Sequence, residues 1–517
     1  MVTTTHDNGG DAIELMPEIR ANTADFDPSR KLTVSVDRQT PNEPATGISV
    51  RHGGKEHALD IYLNRTIRVP DNRDINSLPP GLGHFPLFKI RDYPGMPKDI
   101  LEKGGIFFPM YQREAMWISF TAVAPFAIKI YVGGVNAVSG FPMTENEKTK
   151  EKRRKMLSSG KSIQDYMVVP EQHWLDGIAS EDGKIRQFVA EPKGNGFSVE
   201  AQVTGEEKVG GIQIEIIPIK KHLPTEFDVR YEDKEQKVIT RTFNLAEKGL
   251  TPHSTWQDVK ERIRDEFDIA VQDQSLSKHS HATRRHREIG MDFGDEVKLG
   301  DVYFPPQSFT LSVTHAQPVR RGGGGFGRCR KGGLGSQGPM TFMSCISSPP
   351  GMAMTKSMAS DTRAMTESAP APTPNVKEMG LAAGGLITQS IEADPYPADV
   401  WDVEASVMMN LTILDIESFG ALTGQPAPNT PVDAKSYAQH GYPFFELWGE
   451  EKSGIKGEFQ EIKSVAQLMK EAANADGKSY SEEETVMFKT LVIGRTPFRS
   501  TFRPVEILCK EVQGLHV

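Results

Sequence analysis

Between Lys31 and Lys220 the chain alternates apolar and polar residues in short runs, and no other feature limits its fold as much. The runs are LTVSVD (32–37), TGISVRH (46–52), ALDIYLNRTIRV (58–69), AMWISFTA (115–122), FAIKIYVGGVNAV (126–138), IRQFVAE (185–191), FSVEAQVTG (197–205) and GIQIEIIPIK (211–220). A period of two sends successive side chains to opposite faces of a strand, so each run has one apolar face that needs covering. Gly, Pro and Asn separate the runs, and Gly133-Gly134 breaks one of them as a turn or bulge. Many short strands punctuated in this way predict a β-sandwich or jelly-roll-like domain over residues 30–223, after a flexible N-terminus at 1–29. The stretch TENEKTKEKRRKMLSSGKS (144–162) does not alternate. Thr144 with Glu147 has capping-box spacing and no clear apolar face follows, which predicts an exposed helix or a mobile insertion.

Composition divides the rest of the chain. Residues 319–392, from RRGGGGFGRCRKGG through SSPPGMAMTKSMASDTRAMTESAPAPTPN to GLAAGGLITQSI, are rich in Gly, Pro, Ser and Met. Large apolar side chains are too few there to offset the entropy of ordering the chain, so a disordered, protease-sensitive linker is predicted. Residues 393–517 regain strand-like runs at 399–415, 442–448, 484–494 and 503–512. Ile462, Val465, Leu468, Met469 and Ala472 add one helical stripe, so a C-terminal β-rich α+β domain is expected. The net charge of −9 is uneven: residues 391–517 hold 20 Asp and Glu against 11 Lys and Arg, whereas residues 320–390 hold 3 against 8. Opposite local charges of this kind can draw one copy of the chain to another.

Residues 226–316 follow a more specific pattern. EFDVRYE (226–232) and KVITRTFNL (237–245) alternate on either side of DKEQ, as a hairpin does. STWQDVKERIRDEF (254–267) then reads as a helix capped by Thr255 with Asp258 in the reciprocal position, and Trp256, Val259, Ile263 and Phe267 form one apolar stripe. Leu299, Asp301 and Val302 make a turn-like segment before a last strand, SFTLSVTH (308–315), and Arg320-Arg321-Gly322-Gly323 follows. This order resembles the ubiquitin-like family, and the resemblance implies a β-grasp domain at 224–318. It also implies a recognition face on the last strand, but Thr310, Ser312 and Thr314 are polar there. A polar insertion, SLSKHSHATRRHREIG, sits near the other patch-bearing strand. Gly322-Gly323 is internal, so conjugation would need cleavage. A docking or spacing module is the expectation.

No phosphate loop, dinucleotide fingerprint, nucleophile elbow or Cys–His pairing stands out, and no catalytic residue, metal ligand or cofactor is assigned. EQHWLDG (171–177) is the best binding candidate: His173, Trp174 and Asp176 put an imidazole, an indole and a carboxylate between strands, suited to a sugar or peptide face. Trp174 plugging the core is the alternative. His279, His281, Arg284, Arg285, His286 and Arg287 form a basic loop; arginines beside His-x-His oppose a cation, leaving a solvated or anion-binding loop. His52 and His57 flank a Gly-Gly turn as a thin two-ligand candidate.

Three cysteines, Cys329, Cys345 and Cys509, do not make a disulfide framework, and the N-terminus carries no secretory signal pattern. A cytoplasmic setting without a membrane span is expected. The functional expectation is a non-catalytic interaction or structural protein, a scaffold or self-assembling component with protein partners. A carbohydrate- or small-ligand-binding protein is the first alternative and an enzyme of unrecognised type, with His84, His173 and Asp176 in a pocket, the second. Nucleic acid is not an expected partner.

Overall fold

The computed structural model describes residues 11–12, 32–38, 43–52, 57–180, 183–220, 223–232, 237–280, 294–301, 309–315, 376–447, 453–459 and 461–493. The alternating runs do what their period requires and build a large, mostly antiparallel sheet, so the chain is mainly β. One half contains β1 (Thr33–Asp37), β2 (Gly47–Arg51), β3 (Ala58–Thr66), β4 (Gly81–His84), β5 (Ile106–Met110) and β6 (Ala115–Ala122). Next come β7 (Phe126–Val132), β8 (Trp174–Leu175), β9 (Lys184–Pro192) and β10 (Ile212–Pro218). Strand pairing runs β1–β2–β3–β6–β9 on one side and β7–β10 on the other.

The two sides share one core. Leu59, Ile61 and Leu63 of β3 and Met116, Ile118 and Phe120 of β6 are buried in the same cluster as Ile128 and Ile130 of β7 and Ile212, Ile214 and Ile216 of β10. Burying the apolar face of each strand this way removes the surface that the period-two pattern left uncovered.

The joint between the two sides comes from beyond residue 375, which corrects the expected end of the linker at 392, whereas the rest of that linker, 319–375, lies outside the described residues. Residues Glu378–Thr388 form β15 and Val407–Asp415 form β16. β15 pairs with β9 from Lys184↔Thr388 to Pro192↔Met379, and β16 pairs with β10. β15 and β16 meet at Glu378↔Leu414 and Met379↔Ile413, and β5 lies parallel to β16. GLAAGGLITQSI is thus interior strand and not a linker end. Its small residues are needed by close packing: a Cβ on Gly385 would lie 2.3 Å from the Pro70 carbonyl oxygen, and one on Gly384 would lie 2.6 Å from Val189 Cγ2. The Glu378 carboxylate pins the strand's start between Lys103 (3.0 Å) and Lys193 (2.8 Å).

Between β10 and β15 lies a contiguous four-stranded unit with β11 (Glu226–Glu232), β12 (Val238–Asn244), β13 (Gln274–Ser280) and β14 (Phe309–His315) in the order β12–β11–β14–β13. β11 and β14 are parallel; the other two pairings are antiparallel. Helix α1 is Glu147–Ser158, α2 is Trp256–Phe267 and α3 is Val465–Ala475. Trp256, Val259 and Ile263 of α2 are buried with Phe227, Val229, Tyr231 and Phe243 of the hairpin and Leu311 and Val313 of the last strand. Thr255 caps α2 reciprocally with Asp258, as its spacing requires.

Two further expectations are corrected. FSVEAQVTG is not a strand: Val199–Thr204 is a short helix whose N-cap Ser198 accepts from the Ala201 N–H, 3.1 Å. Buried Glu200 accepts from the amides of Lys208, Val209 and Gly210, so the polar position ties down a loop. α1 is capped by Asn146 with Thr149, not by Thr144 with Glu147. It docks through Thr149, Met156 and Arg153, the last paired with Asp165 (2.8 Å) and Glu145 (2.6 Å) and lying over the Phe141 ring. α3 begins at its N-cap Ser464, and the Ala466 N–H donates to Asp71 Oδ2, 2.7 Å. No helix among the described residues is long and apolar enough to cross a membrane.

Candidate functional site

The face of β3 turned away from the main core is polar at Asp60, Tyr62 and Asn64, with Asp60 and Tyr62 half-buried and Asn64 buried, because Leu59, Ile61 and Leu63 are turned into that core. Register sets this face beside the outward residues of its neighbours. Asp37 of β1 pairs with Gly47 of β2, Gly47 with Tyr62, Tyr62 with Ser119 of β6, and Ser119 with Trp174 of β8. One row across five strands therefore carries two aromatic rings separated by a serine. At the usual strand spacing the backbones that carry the two rings stand about 10 Å apart.

Glycine opens the row. A Cβ on Gly47 would lie 2.9 Å from Tyr62 Cε1, so the phenol ring lies over the backbone of β2. Similarly, Gly81 of β4 covers Trp117, whose Cζ2 would be 3.3 Å from an added Cβ. The Trp117 Nε1 is buried with no hydrogen-bond partner among the described residues.

Asn64 organises the next row. Its Nδ2 donates to Ser119 Oγ (3.0 Å) and to the Tyr62 carbonyl (3.1 Å), which leaves Oδ1 facing His84 Nδ1 at 2.8 Å. An amide oxygen only accepts, so the His84 proton sits on Nδ1 and Nε2 keeps its lone pair. Burial lowers the His84 pKa and favours this neutral form. The His84 and Tyr62 rings are 5.1 Å apart. Burial raises the Tyr62 phenol, with Asp60 and Asp37 adding and Arg51 opposing, so it stays a hydroxyl donor. At the row's far end Ser49 donates to Asp60 (2.6 Å) and also meets Asp37, and Arg51 pairs with Asp60 at 2.9 Å.

Of the expected binding residues, only part reaches this face. Trp174 is half-buried against the cluster of Ile67, Leu78 and Phe444, and its ring lies nearly parallel to that of His173, with centroids 6.5 Å apart. Asp176 is buried, and its N–H donates to Gln389 Oε1, 3.0 Å. Gln172 fastens the same loop to the segment after β15, accepting from the Glu392 N–H at 2.8 Å. The loop is thus held by the Asp176 N–H and the Gln172 side chain, and buried Asp176 is not offered to a ligand. His52 and His57 are both buried, their rings 5.8 Å apart. His279 lies in β13; His281, Arg284, Arg285, His286 and Arg287 lie outside the described residues, as do all three cysteines. A small hollow of about 70 Å³ beneath α1 is walled by Lys129, Tyr131, Asn136, Arg153 and Asp165, and none of the expected site residues lines it.

Tyr62, Asn64, Trp117 and Ser119 were legible only as solvated positions of strands. Their signal is the mixture on an outward face, aromatic rings alternating with amide and hydroxyl groups where charged residues are usual. Comparison with protein-family models and with curated proteins gives no match for this chain.

Proposed function

We propose that the protein is a non-catalytic binding protein and that this sheet face takes a carbohydrate or a similarly hydroxyl-rich small ligand. The row Gly47–Tyr62–Ser119–Trp174 carries the reading. Aromatic faces stack on the C–H face of a sugar ring, while Ser119, the Tyr62 hydroxyl and the lone pair of His84 Nε2 match its hydroxyls in both senses.

A glycan array followed by calorimetric titration of the full chain tests it. Tyr62→Ala and Trp174→Ala should each weaken binding about tenfold or more, by loss of a stacked ring. Ser119→Ala should weaken it less, with the melting temperature as a control for folding. His84 has a depressed folded pKa, so its contribution to stability is complete above the ordinary value of 6.5 and fades as pH falls toward the lowered one. Affinity should fall only as pH drops through that lowered value, where Nε2 of the folded protein becomes a donor. Absence of saturable binding, or ring variants that bind as the parent does, would refute the reading.

We infer further that residues 225–316 are a ubiquitin-like β-grasp module serving as a spacer or dock. The strand order β12–β11–β14–β13 and the capped α2 across it support this. The outward positions Asp228, Arg230, Thr240, Thr242 and Ser312 are polar, so an NMR titration with a ubiquitin-receptor domain should leave them unshifted.

A further inference from the structure

α1 presents an unusual surface for an acidic protein. Between residues 147 and 161 there are seven Lys and Arg against two Glu. Only Thr149 and Met156 of the helix are buried. Lys148, Lys152 and Lys155 recur at helical spacing along one exposed stripe. The ion pairs of the helix run to Glu147, Glu151, Glu145 and Asp165.

The segment between β15 and β16 has the opposite character. Residues 392–404 carry Glu392, Asp394, Asp399, Asp402 and Glu404 and no Lys or Arg. Within it Val403 is 66% exposed, between Asp402 and Glu404. Asp394 is occupied inward by the Tyr166 hydroxyl (2.7 Å) and the Trp401 Nε1 (3.2 Å), whereas Glu392, Asp399 and Glu404 are exposed. Lys220 Nζ meets the Asp399 carbonyl at 2.8 Å.

The two patches are neighbours. Gln164, six residues past the end of α1, donates to the Glu392 carbonyl (3.0 Å) and accepts from the Asp394 N–H (3.0 Å). A surface with adjoining positive and negative patches is complementary to itself after a half-turn. In a two-fold pair each patch meets its opposite on the other copy, and both contacts form at once.

We propose that two copies of this chain associate through α1 of each against residues 392–404 of the other. The contact is electrostatic, so it is reversible and weakened by salt.

Sedimentation equilibrium or light scattering on the full chain tests it. The wild-type protein should show a monomer–dimer equilibrium whose dissociation constant rises about tenfold or more between about 50 mM and about 500 mM salt. The triple change Lys148→Glu, Lys152→Glu, Lys155→Glu should give a monomer, and so should Asp399→Lys, Asp402→Lys, Glu404→Lys. Five of the six positions are exposed and Asp402 is half-buried, and far-ultraviolet circular dichroism checks that each variant is folded. Mixed together, the two variants should form a heterodimer, since each supplies the charge the other now needs. A wild-type chain that stays monomeric at low salt would overturn the proposal. So would a reversed variant that dimerises alone, or two folded variants that fail to pair.

Discussion

The four-stranded unit and the large sheet solve the same problem over very different distances along the chain. Every strand and the helix of the unit lie within residues 226–315, so each apolar face finds its cover nearby. In the large sheet β9 ends at Pro192, while its partner β15 begins only at Glu378. Local contacts close cheaply in chain entropy and distant ones do not. The first region should therefore stand alone, and the second should stand only when its late strands are present.

Ending the chain after residue 375 puts the most strain on that contrast. Without β15 and β16 the large sheet should lose cooperative folding altogether, while the amide spectrum of the four-stranded unit persists. Survival of a cooperative large-sheet transition would erase the contrast. Trp256→Ala is the reverse experiment: it should cost the unit about 3–5 kcal/mol, the usual loss for a fully buried aromatic, and leave the large sheet's melting unchanged. Equal loss in both transitions would mean that the two regions are coupled. Thr255→Ala sharpens the comparison most finely. It removes one half of the capping box and should lower protection from hydrogen exchange in α2 by about 1 kcal/mol, with no change in β9 or β15.

Legibility in the sequence followed the same division. AMWISFTA became β6 over Ala115–Ala122, and Thr255 capped α2 with Asp258 as its spacing requires, because each signal is complete within a few residues. GLAAGGLITQSI failed because a strand buried on both faces does not alternate, and its Gly and Ala content matches that of a linker. FSVEAQVTG alternates, but the Ser198 cap and the carboxylate of Glu200 favour a helical turn over a strand. Tyr62, Asn64, His84, Ser119 and Trp174 are each readable as outward or loop residues. What assembles them is register between strands, which no local pattern contains. Asp176 shows the converse: a polar residue in a promising loop was buried by a backbone hydrogen bond to Gln389, over two hundred residues away.

The late arrival of β15 also has a consequence during synthesis. After β9 leaves the ribosome, about 190 further residues must be made before its partner emerges, roughly ten to forty seconds at ordinary elongation rates. For that interval the backbone N–H and C=O groups of Lys184–Pro192 on the β15 side have no strand beside them. A nascent chain in that condition is a natural client for chaperones that shield open strand edges. Slowing translation before residue 378 should lengthen that dependence, and hastening it should shorten it.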